Sequence, residues 1–244
     1  MNYISPSQIS TFYQCPYKYY CKYVAKRPKI KRDESAMHFG LCVHEIIPDY
    51  YNMIENKTPG HEALEYLERA FTNGADHRVS SMQNKFKRVQ RNFQRWDIER
   101  MKSGKSKPLF TEKAIKAALF PGLPLIFGKV DAYFEDTRMW VDWKTGSYEE
   151  MNFERMIQGK CYEMLLEHEG YPVKEGKFIN LDNDIKHSLP RLKDSWLKEK
   201  ITKMVNEIEA GHFPAKPNNF CNNYCEYKAS CDLRYKCPWG VFGW

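Results

Sequence analysis

A run of three short strands in the middle of the chain constrains the fold most. Alternation of apolar and polar residues predicts strands over 110–120, 125–135 and 139–143. Turn-forming pairs separate these strands at Pro121-Gly122 and at Asp136-Thr137. Strands that follow one another through turns this short pair antiparallel. The chain therefore builds an α/β core around a sheet.

Predicted helices flank these strands. Apolar spacing and start and stop signals predict them over 35–56, 61–72, 77–103, 152–168 and 191–210. One more strand is predicted over 176–181, and Pro48 is expected to kink or split the first helix. In the helix over 77–103, apolar residues recur every three or four positions as a core-facing stripe formed by Met82, Phe86, Val89, Phe93 and Trp96. The order of elements is that of an α/β core with a helical insertion.

The N-terminus carries the signals of a helix start. Ser5 can cap the helix, Pro6 suits its first position, and Gln8 stands where a capping-box partner belongs. This helix is expected to break at Cys15-Pro16, before a second helix over 17–24.

The composition favours a soluble protein. Hydrophobic residues make up 42% of the 244 residues and aromatic residues 15%, which is enough for a packed core. No apolar run approaches the roughly 18 residues of a membrane-spanning helix, and no charged head precedes an apolar block at the N-terminus. We therefore expect a cytoplasmic protein with no membrane partner.

Positive charge is concentrated in two segments. Residues 1–32 contain seven Lys or Arg and no acid, and residues 77–108 contain ten basic and two acidic residues. The formal charge of the whole chain is +7, so the remaining residues are net negative. Concentrated positive charge attracts the phosphate backbone of nucleic acids, although a solvated helix face also accounts for charge of this kind.

The two strands around Asp136-Thr137 bring acidic residues together. A hairpin that turns there places Asp131 opposite Asp142 on one face, and Lys144 points to the same face. Two neighbouring carboxylates are costly unless a cation bridges them, and Mg²⁺ or Mn²⁺ prefers carboxylate oxygens. The alternative is a surface hairpin with a salt bridge. A divalent ion at these residues could cleave phosphate esters, but an Asp-x-Lys pattern by itself is weak evidence for such a site.

Four of the eight cysteines lie close together near the C-terminus. They occupy positions 221, 225, 231 and 237, and nothing in the sequence indicates an oxidising compartment. This clustering points to metal or iron–sulfur ligation rather than to disulfides. Reduced cysteines packed as small apolar residues are the alternative.

The chain resembles the PD-(D/E)XK nucleases, specifically the RecB-like branch that includes CRISPR-associated RecB-like exonucleases and AddAB-type nuclease domains. Motifs of that branch occur in order between residue 5 and about residue 231. They are Ser5-Pro6-Ser7-Gln8-Ile9, Cys15-Pro16-Tyr17-Lys18-Tyr19, Gly40-x-x-x-His44, Gly128-x-x-Asp131, Asp142-x-Lys144 and Gln158-x-x-x-Tyr162.

The resemblance implies one nuclease domain over residues 1–244 with a restriction-endonuclease-like core, a mixed central sheet flanked by helices. Within it, 33–105 would be a helical insertion and 106–212 the catalytic α/β core. A Cys-rich cap over 213–244 would pack with residues 1–32.

The resemblance also implies a set of site residues. The catalytic Mg²⁺ or Mn²⁺ would be held by His44, Asp131, Asp142 and the backbone carbonyl of Trp143. Lys144 would be the catalytic lysine, and Gln158 and Tyr162 would contact DNA or support the metal site. Arg88, Arg91 and Arg95, opposite the apolar stripe of their helix, would hold DNA through its phosphates. Glu112 is expected to be a solvated strand acid and not a ligand.

A [4Fe–4S] cluster is implied by the same resemblance, with Cys15, Cys221, Cys225 and Cys231 as ligands. The first spacer between the C-terminal cysteines is three residues, where the family commonly has two. Cys21 and Cys237 are spare thiols that could substitute, and zinc or no metal are the alternatives.

These features together predict a metal-dependent DNA exonuclease. It would act on DNA ends or single strands in recombination, repair or phage or CRISPR DNA processing, with partner proteins of those pathways. The alternative is a catalytically inactive DNA-binding or complex-assembly subunit with the same fold.

Overall fold

The computed structural model describes residues 2–30, 33–73, 82–146, 150–218, 221 and 225–233. The α-helices are α1 Pro6–Gln14, α2 Pro16–Tyr19, α3 Ser35–Glu55, α4 Gly60–Asn73, α5 Gln83–Lys102, α6 Phe153–His168 and α7 Asp194–Glu209. The strands are β1 Tyr3–Ile4, β2 Phe110–Ala117, β3 Leu125–Phe134, β4 Met139–Lys144, β5 Glu175–Asn180 and β6 Ile185–Ser188. A π-helix over Tyr20–Val24 continues α2.

The six strands form one mixed sheet. β2, β3 and β4 pair antiparallel in chain order, which confirms the predicted meander. β4 pairs parallel with β5 after the crossover through α6, β5 pairs antiparallel with β6, and β1 pairs parallel with β3. The sheet is thus the mixed sheet flanked by helices that the sequence predicted.

One edge of β3 is open in its middle. Ile126 pairs with Ala117 of β2 and with Ile4 of β1, so these two strands lie on opposite sides of β3. β2 follows β3 over nearly its whole length, so β4 shares the other edge with β1 and pairs there with residues 132–134. Residues 127–131 therefore form a gap between β1 and β4. We call it the β1–β4 gap.

Two hydrophobic clusters fill the two faces of the sheet. The cluster on one face joins α3, α4 and α5 to side chains of β3, β4 and β5, and it contains the predicted stripe of α5. The cluster on the other face joins α1, α6 and α7 to the sheet. The helices before the meander are therefore one full layer of the core, because the sheet would otherwise expose that face to water.

The structure differs from the predicted elements in a few places. α3 runs through Pro48 without splitting, and the missing N–H at Pro48 leaves the carbonyl of His44, four residues earlier, without its usual helical donor. β1 and β6 contain two and four residues and were not predicted, because so short a stretch shows no periodicity. Residues 77–81 of the predicted third helix lie outside the described residues.

Across the described segments, none of the helices combines the length and the apolar character that a bilayer crossing requires.

Candidate active site

The β3–β4 hairpin carries the two predicted aspartates. Ala132 pairs with Val141 and Tyr133 with Trp140, which is the predicted register. Beyond these pairs the two strands separate, and the N–H of Trp143 donates to Asp131 Oδ2 at 2.8 Å. The carboxylate of Asp131 thus takes the place of a backbone acceptor at the point where the sheet opens.

Asp142 belongs to a polar network on the α6 side of the sheet. Lys144 Nζ lies 2.7 Å from Asp142 Oδ2 and donates to Gln158 Oε1 at 3.0 Å. Gln158 Nε2 donates to Asp142 Oδ1 at 2.9 Å and to the Tyr162 hydroxyl at 2.8 Å. Gln158 and Tyr162 reach this network together because they lie one turn apart on α6. The structure therefore places four of the predicted residues in contact.

Asp131 belongs to a second group of polar side chains, which it forms with His44 and Glu112. His44 Nδ1 lies 3.5 Å from Asp131 Oδ2 and 3.1 Å from Glu112 Oε1. Ligand atoms of His44, Glu112 and Asp131 lie within 4.8 Å of one another, close enough to hold one metal ion. His44 comes from α3 and the two acids from β2 and β3, so three separate elements meet here.

Glu112 corrects the sequence interpretation. Its side chain is 17% exposed and lies between His44 and Lys129, so the expectation of a solvated acid is wrong. Its backbone is left-handed with φ of 51°, a conformation that is strained for a residue with a Cβ. A hairpin centred on Pro121-Gly122 pairs Glu112 with Asp131, so the arithmetic that paired Asp131 with Asp142 would have found it.

Two glycines lie where elements of the site approach each other. A Cβ on Gly128 would lie 2.8 Å from Leu165 Cδ1 and 3.2 Å from Tyr162, so the α6 helix can pack on β3 only where this side chain is missing. A Cβ on Gly40 would lie 3.4 Å from Thr145 Oγ1, at the end of β4. The missing side chain at Gly128 thus brings Tyr162 near Asp131, whereas a Cβ at Gly40 would make an ordinary contact, so the approach of α3 to β4 does not depend on that glycine.

The pKa values of Asp131, His44 and Lys144 are all raised, because negative charge is crowded at this site. Burial and the nearby charge of Asp142 raise the pKa of Asp131 to about 7. Burial alone would lower the pKa of His44, but Asp131, Glu112 and Asp142 raise it to about 9. Burial likewise acts to lower the pKa of Lys144, but Asp142 and Asp131 raise it. The neighbouring carboxylates thus stabilise the protonated forms of His44 and Lys144, and Asp131 itself binds a proton more tightly than a free aspartate.

The donor set fits a hard divalent cation. Asp142 Oδ2 is buried and has no hydrogen-bond partner of suitable geometry among the described residues, although the Lys144 ammonium is close. Asp131, Glu112 and His44 supply carboxylate and imidazole ligands a short distance away. Mg²⁺ and Mn²⁺ bind such oxygen-rich sets, and a cation would relieve the repulsion that raises the pKa of Asp131. The ligand role predicted for the Trp143 carbonyl stays a prediction.

The four predicted cluster cysteines line one pocket. Cys15, at the end of α1, faces Cys221, Cys225 and Cys231 from the C-terminal segment. Cys21 and Cys161 are buried elsewhere, and Cys237 lies outside the described residues. The pocket therefore joins the start of the chain to its C-terminal segment.

Hydrogen bonds hold the two ends of the chain around this pocket. Tyr17 N–H donates to the Pro214 carbonyl at 3.3 Å, and Asn218 Nδ2 donates to the Gln14 carbonyl at 3.1 Å. Lys216 N–H donates to Cys15 Sγ at 3.4 Å. Thiolates gain stability from such N–H donors, so the surroundings suit a metal-bound sulfur.

The thiol spacing bears on what the pocket could hold. All four cysteines are among the described residues, and no three of their sulfur atoms lie within 4.8 Å of one another. The Zn–S distance of about 2.3 Å places the thiolates of a tetrahedral zinc site about 3.8 Å apart. The pocket thus brings four thiols together, and the group that they bind stays a prediction.

The predicted DNA-binding arginines lie on the exposed side of α5. Arg88 pairs with Asp182 at 2.6 Å and Arg95 pairs with Asp184 at 2.6 Å, and both acids belong to the turn between β5 and β6. Arg91 donates to the carbonyl of Lys87 on its own helix. Two of the three arginines thus also fasten this turn to α5, and their binding of DNA stays a prediction.

Comparison with known proteins gives three findings. A family model described as the PD-(D/E)XK nuclease superfamily matches residues 3–232. A solved structure described as "Putative exonuclease" from Eubacterium rectale superposes with a TM-score of 0.54 at 14% identity, covering 96% of this chain and 88% of that one. A solved structure named SSO0001 gives a TM-score of 0.46 at 11% identity with the same coverage. A search of curated proteins gives no match.

Proposed function

The chain belongs to the PD-(D/E)XK nuclease superfamily, and we propose that it is a metal-dependent DNA exonuclease of the RecB-like branch. The observation that carries this proposal is the meeting of Asp131, Glu112 and His44 beside the network of Asp142 and Lys144. A purely structural sheet has no reason to bury two aspartates at the place where two strands separate.

Mg²⁺ or Mn²⁺ would be held by Asp131, Asp142, His44 and the Trp143 carbonyl, with Glu112 beside them. When bound, such an ion lowers the pKa of a water molecule and offsets negative charge on a phosphate. The chain supplies the rest of the chemistry. The Lys144 ammonium, fixed by Asp142 and Gln158, can orient the attacking water or stabilise the charge that develops on the phosphate.

The substrate proposed is DNA at an end or as a single strand. The two basic segments and the side chains of Arg88, Arg91 and Arg95 would hold it through phosphates, without strong sequence preference. The processes proposed are recombination, repair or phage or CRISPR DNA processing, with their partner proteins. A cytoplasmic location follows from these roles.

The decisive assay uses DNA labelled at the 5′ end or at the 3′ end, single-stranded or duplex, with Mn²⁺, Mg²⁺ or chelator. Asp142→Asn is expected to lower the cleavage rate by roughly a thousandfold, since the acid helps to hold the metal. Asp49→Asn is a matched control, since the exposed Asp49 pairs with the Tyr66 hydroxyl of α4, and it should leave the rate within about twofold. DNA that is bound but never cut would favour an inactive DNA-binding subunit instead.

A [4Fe–4S] cluster held by Cys15, Cys221, Cys225 and Cys231 is the second part of the proposal. Its support is that these thiols share one pocket. Such a cluster would fix the two ends of the chain to each other. Iron and zinc analysis and visible absorbance of anaerobically purified protein test it. Colourless protein with zinc or with no metal would contradict it.

A further inference from the structure

A cleft in the β1–β4 gap opens directly beside the candidate active site. The cleft is open to solvent, and the space between its walls, solvent included, is about 600 Å³. The first turns of α1 form one wall, Lys144 and Gln158 form the opposite wall, and Gly128 and Lys129 lie along β3 between them. Because Lys144 and Gln158 also contact Asp142, whatever enters this cleft lies next to the carboxylates.

Hydrogen-bond donors dominate the lining of the cleft. Two ammonium groups, those of Lys129 and Lys144, reach it from the sheet, although Glu112 and Asp142 pair with them. Ser5, Ser7 and Ser10 supply hydroxyl groups from α1, and within the described lining Glu154, an exposed side chain, is the single acid. This balance of groups favours an anion over a cation.

The wall formed by α1 adds a further attraction for negative charge. α1 is nine residues long. Pro6 has no N–H, and the N–H groups of Gln8 and Ile9 donate to Ser5, which leaves the Ser7 N–H as the first-turn amide without an acceptor within the helix. The helix dipole places partial positive charge at this end. Ser5 and Gln8 satisfy each other in a capping box, while Ser7 stands exposed at the second helical position.

Ser10 supplies an independent indication of a ligand. The residue is 9% exposed and lines the cleft, and its hydroxyl has no hydrogen-bond partner among the described residues. A buried hydroxyl without a partner costs free energy, and a rotation of the Ser10 side chain toward the cleft would let a bound acceptor recover it. A phosphate oxygen is such an acceptor, and the same phosphate could face the ammonium groups.

We propose that this cleft binds a phosphate of the nucleic-acid strand adjacent to the phosphate that is cleaved. The inference rests on the proposed function for the identity of the strand. A phosphate held between α1 and Lys144 fixes the register of the strand relative to Asp142. The cleft would thereby set where along the strand the cut falls.

Ser7→Glu tests this proposal by placing a negative charge at the mouth of the cleft. We expect the Kd for a single-stranded DNA of twelve thymidines, measured by fluorescence anisotropy with Ca²⁺ at fixed salt, to rise about tenfold because the new carboxylate repels phosphate. Ser195→Glu is the matched control, since Ser195 is exposed and holds the second position of α7. An acid in the first turn stabilises either helix, so unfolding cannot explain a loss of binding.

Ser10→Ala is the second variant. Removal of an unpaired buried hydroxyl should leave the melting temperature unchanged or raise it, while the Kd rises about threefold to tenfold. A hydroxyl with only a packing role would leave the Kd unchanged, and that result would contradict the role given to Ser10.

The oligonucleotide is used with a 5′-phosphate and with a 5′-hydroxyl to distinguish two sources of the phosphate. A preference for the 5′-phosphate that Ser7→Glu abolishes would identify a terminal phosphate, and equal weakening of both would identify an internal one. Equal Kd values for wild type, Ser7→Glu and Ser195→Glu would overturn the cleft proposal, whether or not the protein cuts DNA. Binding that depends on Ser7 without any cleavage in Mn²⁺ would overturn the nuclease proposal alone.

Discussion

Individual residues at the site are held in states that do not favour stability. Glu112 has a left-handed backbone, Asp131 is a buried acid with a raised pKa, and Asp142 Oδ2 is buried without a hydrogen bond of suitable geometry among the described residues. Strain and desolvated charge of this kind persist where the surrounding fold enforces them, and they concentrate at functional sites. The residues thus trade stability for the ability to bind a cation.

Substitution of Glu112 should separate its strain from its charge. Glu112→Gln removes the charge and keeps the strained backbone, whereas Glu112→Gly removes both. We expect the glycine variant to be more stable than the glutamine variant by about 1 kcal/mol in urea unfolding with chelator. Both variants should lose much of the stabilisation that Mn²⁺ gives to wild type. A glycine variant less stable than the glutamine variant would show that the backbone at position 112 carries no strain.

The buried Asp97 should make stability depend on pH. Burial raises its pKa against the opposing effect of hydrogen bonds from Tyr51 and Tyr50, so the folded protein binds a proton more tightly here than the unfolded chain does. The stability that this group contributes is therefore full below the unfolded pKa and is lost as pH rises through the folded pKa. Asparagine at this position carries no charge. The free energy of unfolding of Asp97→Asn in urea should therefore increase relative to that of wild type as the pH rises from 4 to 8.

Asp136 is a control with the opposite sign. Burial acts to raise its pKa, but the Ser106 N–H and Arg100 lower it, so its contribution to stability is lost as pH falls. The free energy of unfolding of Asp136→Asn should therefore fall relative to that of wild type as pH rises from about 2 to 5, and the difference should stay constant from there to pH 8. Parallel curves for the two variants would contradict both assignments.

Elements with strong periodicity could be predicted from the sequence, and they are the ones that build the fold. The stripe of α5 is buried, and the antiparallel meander and the turn at Asp136-Thr137 occur as predicted. The layer role of α3, α4 and α5 could not be predicted, because a helix pattern shows which face is apolar and not what covers it. The strands β1 and β6 could not be predicted, because two and four residues are too few to show a periodic pattern.

The site was only partly predictable for a reason that lies in the sheet. Val130 and Ala132 would share one face of a regular strand, yet they pack in opposite clusters, so the alternation of β3 shifts at Asp131. Parity along the strand therefore does not give the surroundings of this residue. The neighbours of Asp131 follow from the strand registers instead, and the register of β2 identifies Glu112.

Close contact between β4 and β5 gives a prediction at the scale of elements. Gly176 pairs with Trp140, and a Cβ at Gly176 would lie 2.1 Å from the Trp140 ring. Gly176→Ala should therefore lower the free energy of unfolding by about 1–3 kcal/mol, because a buried indole has to move. Gly60→Ala is the control, since a Cβ there meets nothing within 4 Å. Urea unfolding of both variants checks this, and equal stabilities would mean that the β4–β5 packing is loose.

At the scale of the whole molecule, residues 14–18 and the C-terminal segment over 214–233 meet at the cysteine pocket. The candidate active site lies at the other end of α1. Ser5 caps α1 at the cleft and Cys15 caps it at the cysteine pocket, so this helix of nine residues spans the distance between the cleft and the pocket. α1 also packs on α6, which carries Gln158 and Tyr162.

Loss of the proposed iron–sulfur cluster should release the C-terminal segment. A link between Cys15 and Cys221 closes a loop of about two hundred residues, which on the chain-entropy model is worth roughly 5 kcal/mol. Cys231→Ser, purified under the same anaerobic conditions as wild type, should therefore melt at a lower temperature and be cut faster by trypsin after Lys228, which lies between Cys225 and Cys231. Cys42→Ser is the matched control, because Cys42 packs beside the α3–α5 cluster, away from the pocket. If both variants resist trypsin as wild type does, the cysteines bind nothing that links the two segments, and polar contacts such as the hydrogen bonds to Gln14 and Tyr17 fix the C-terminal segment.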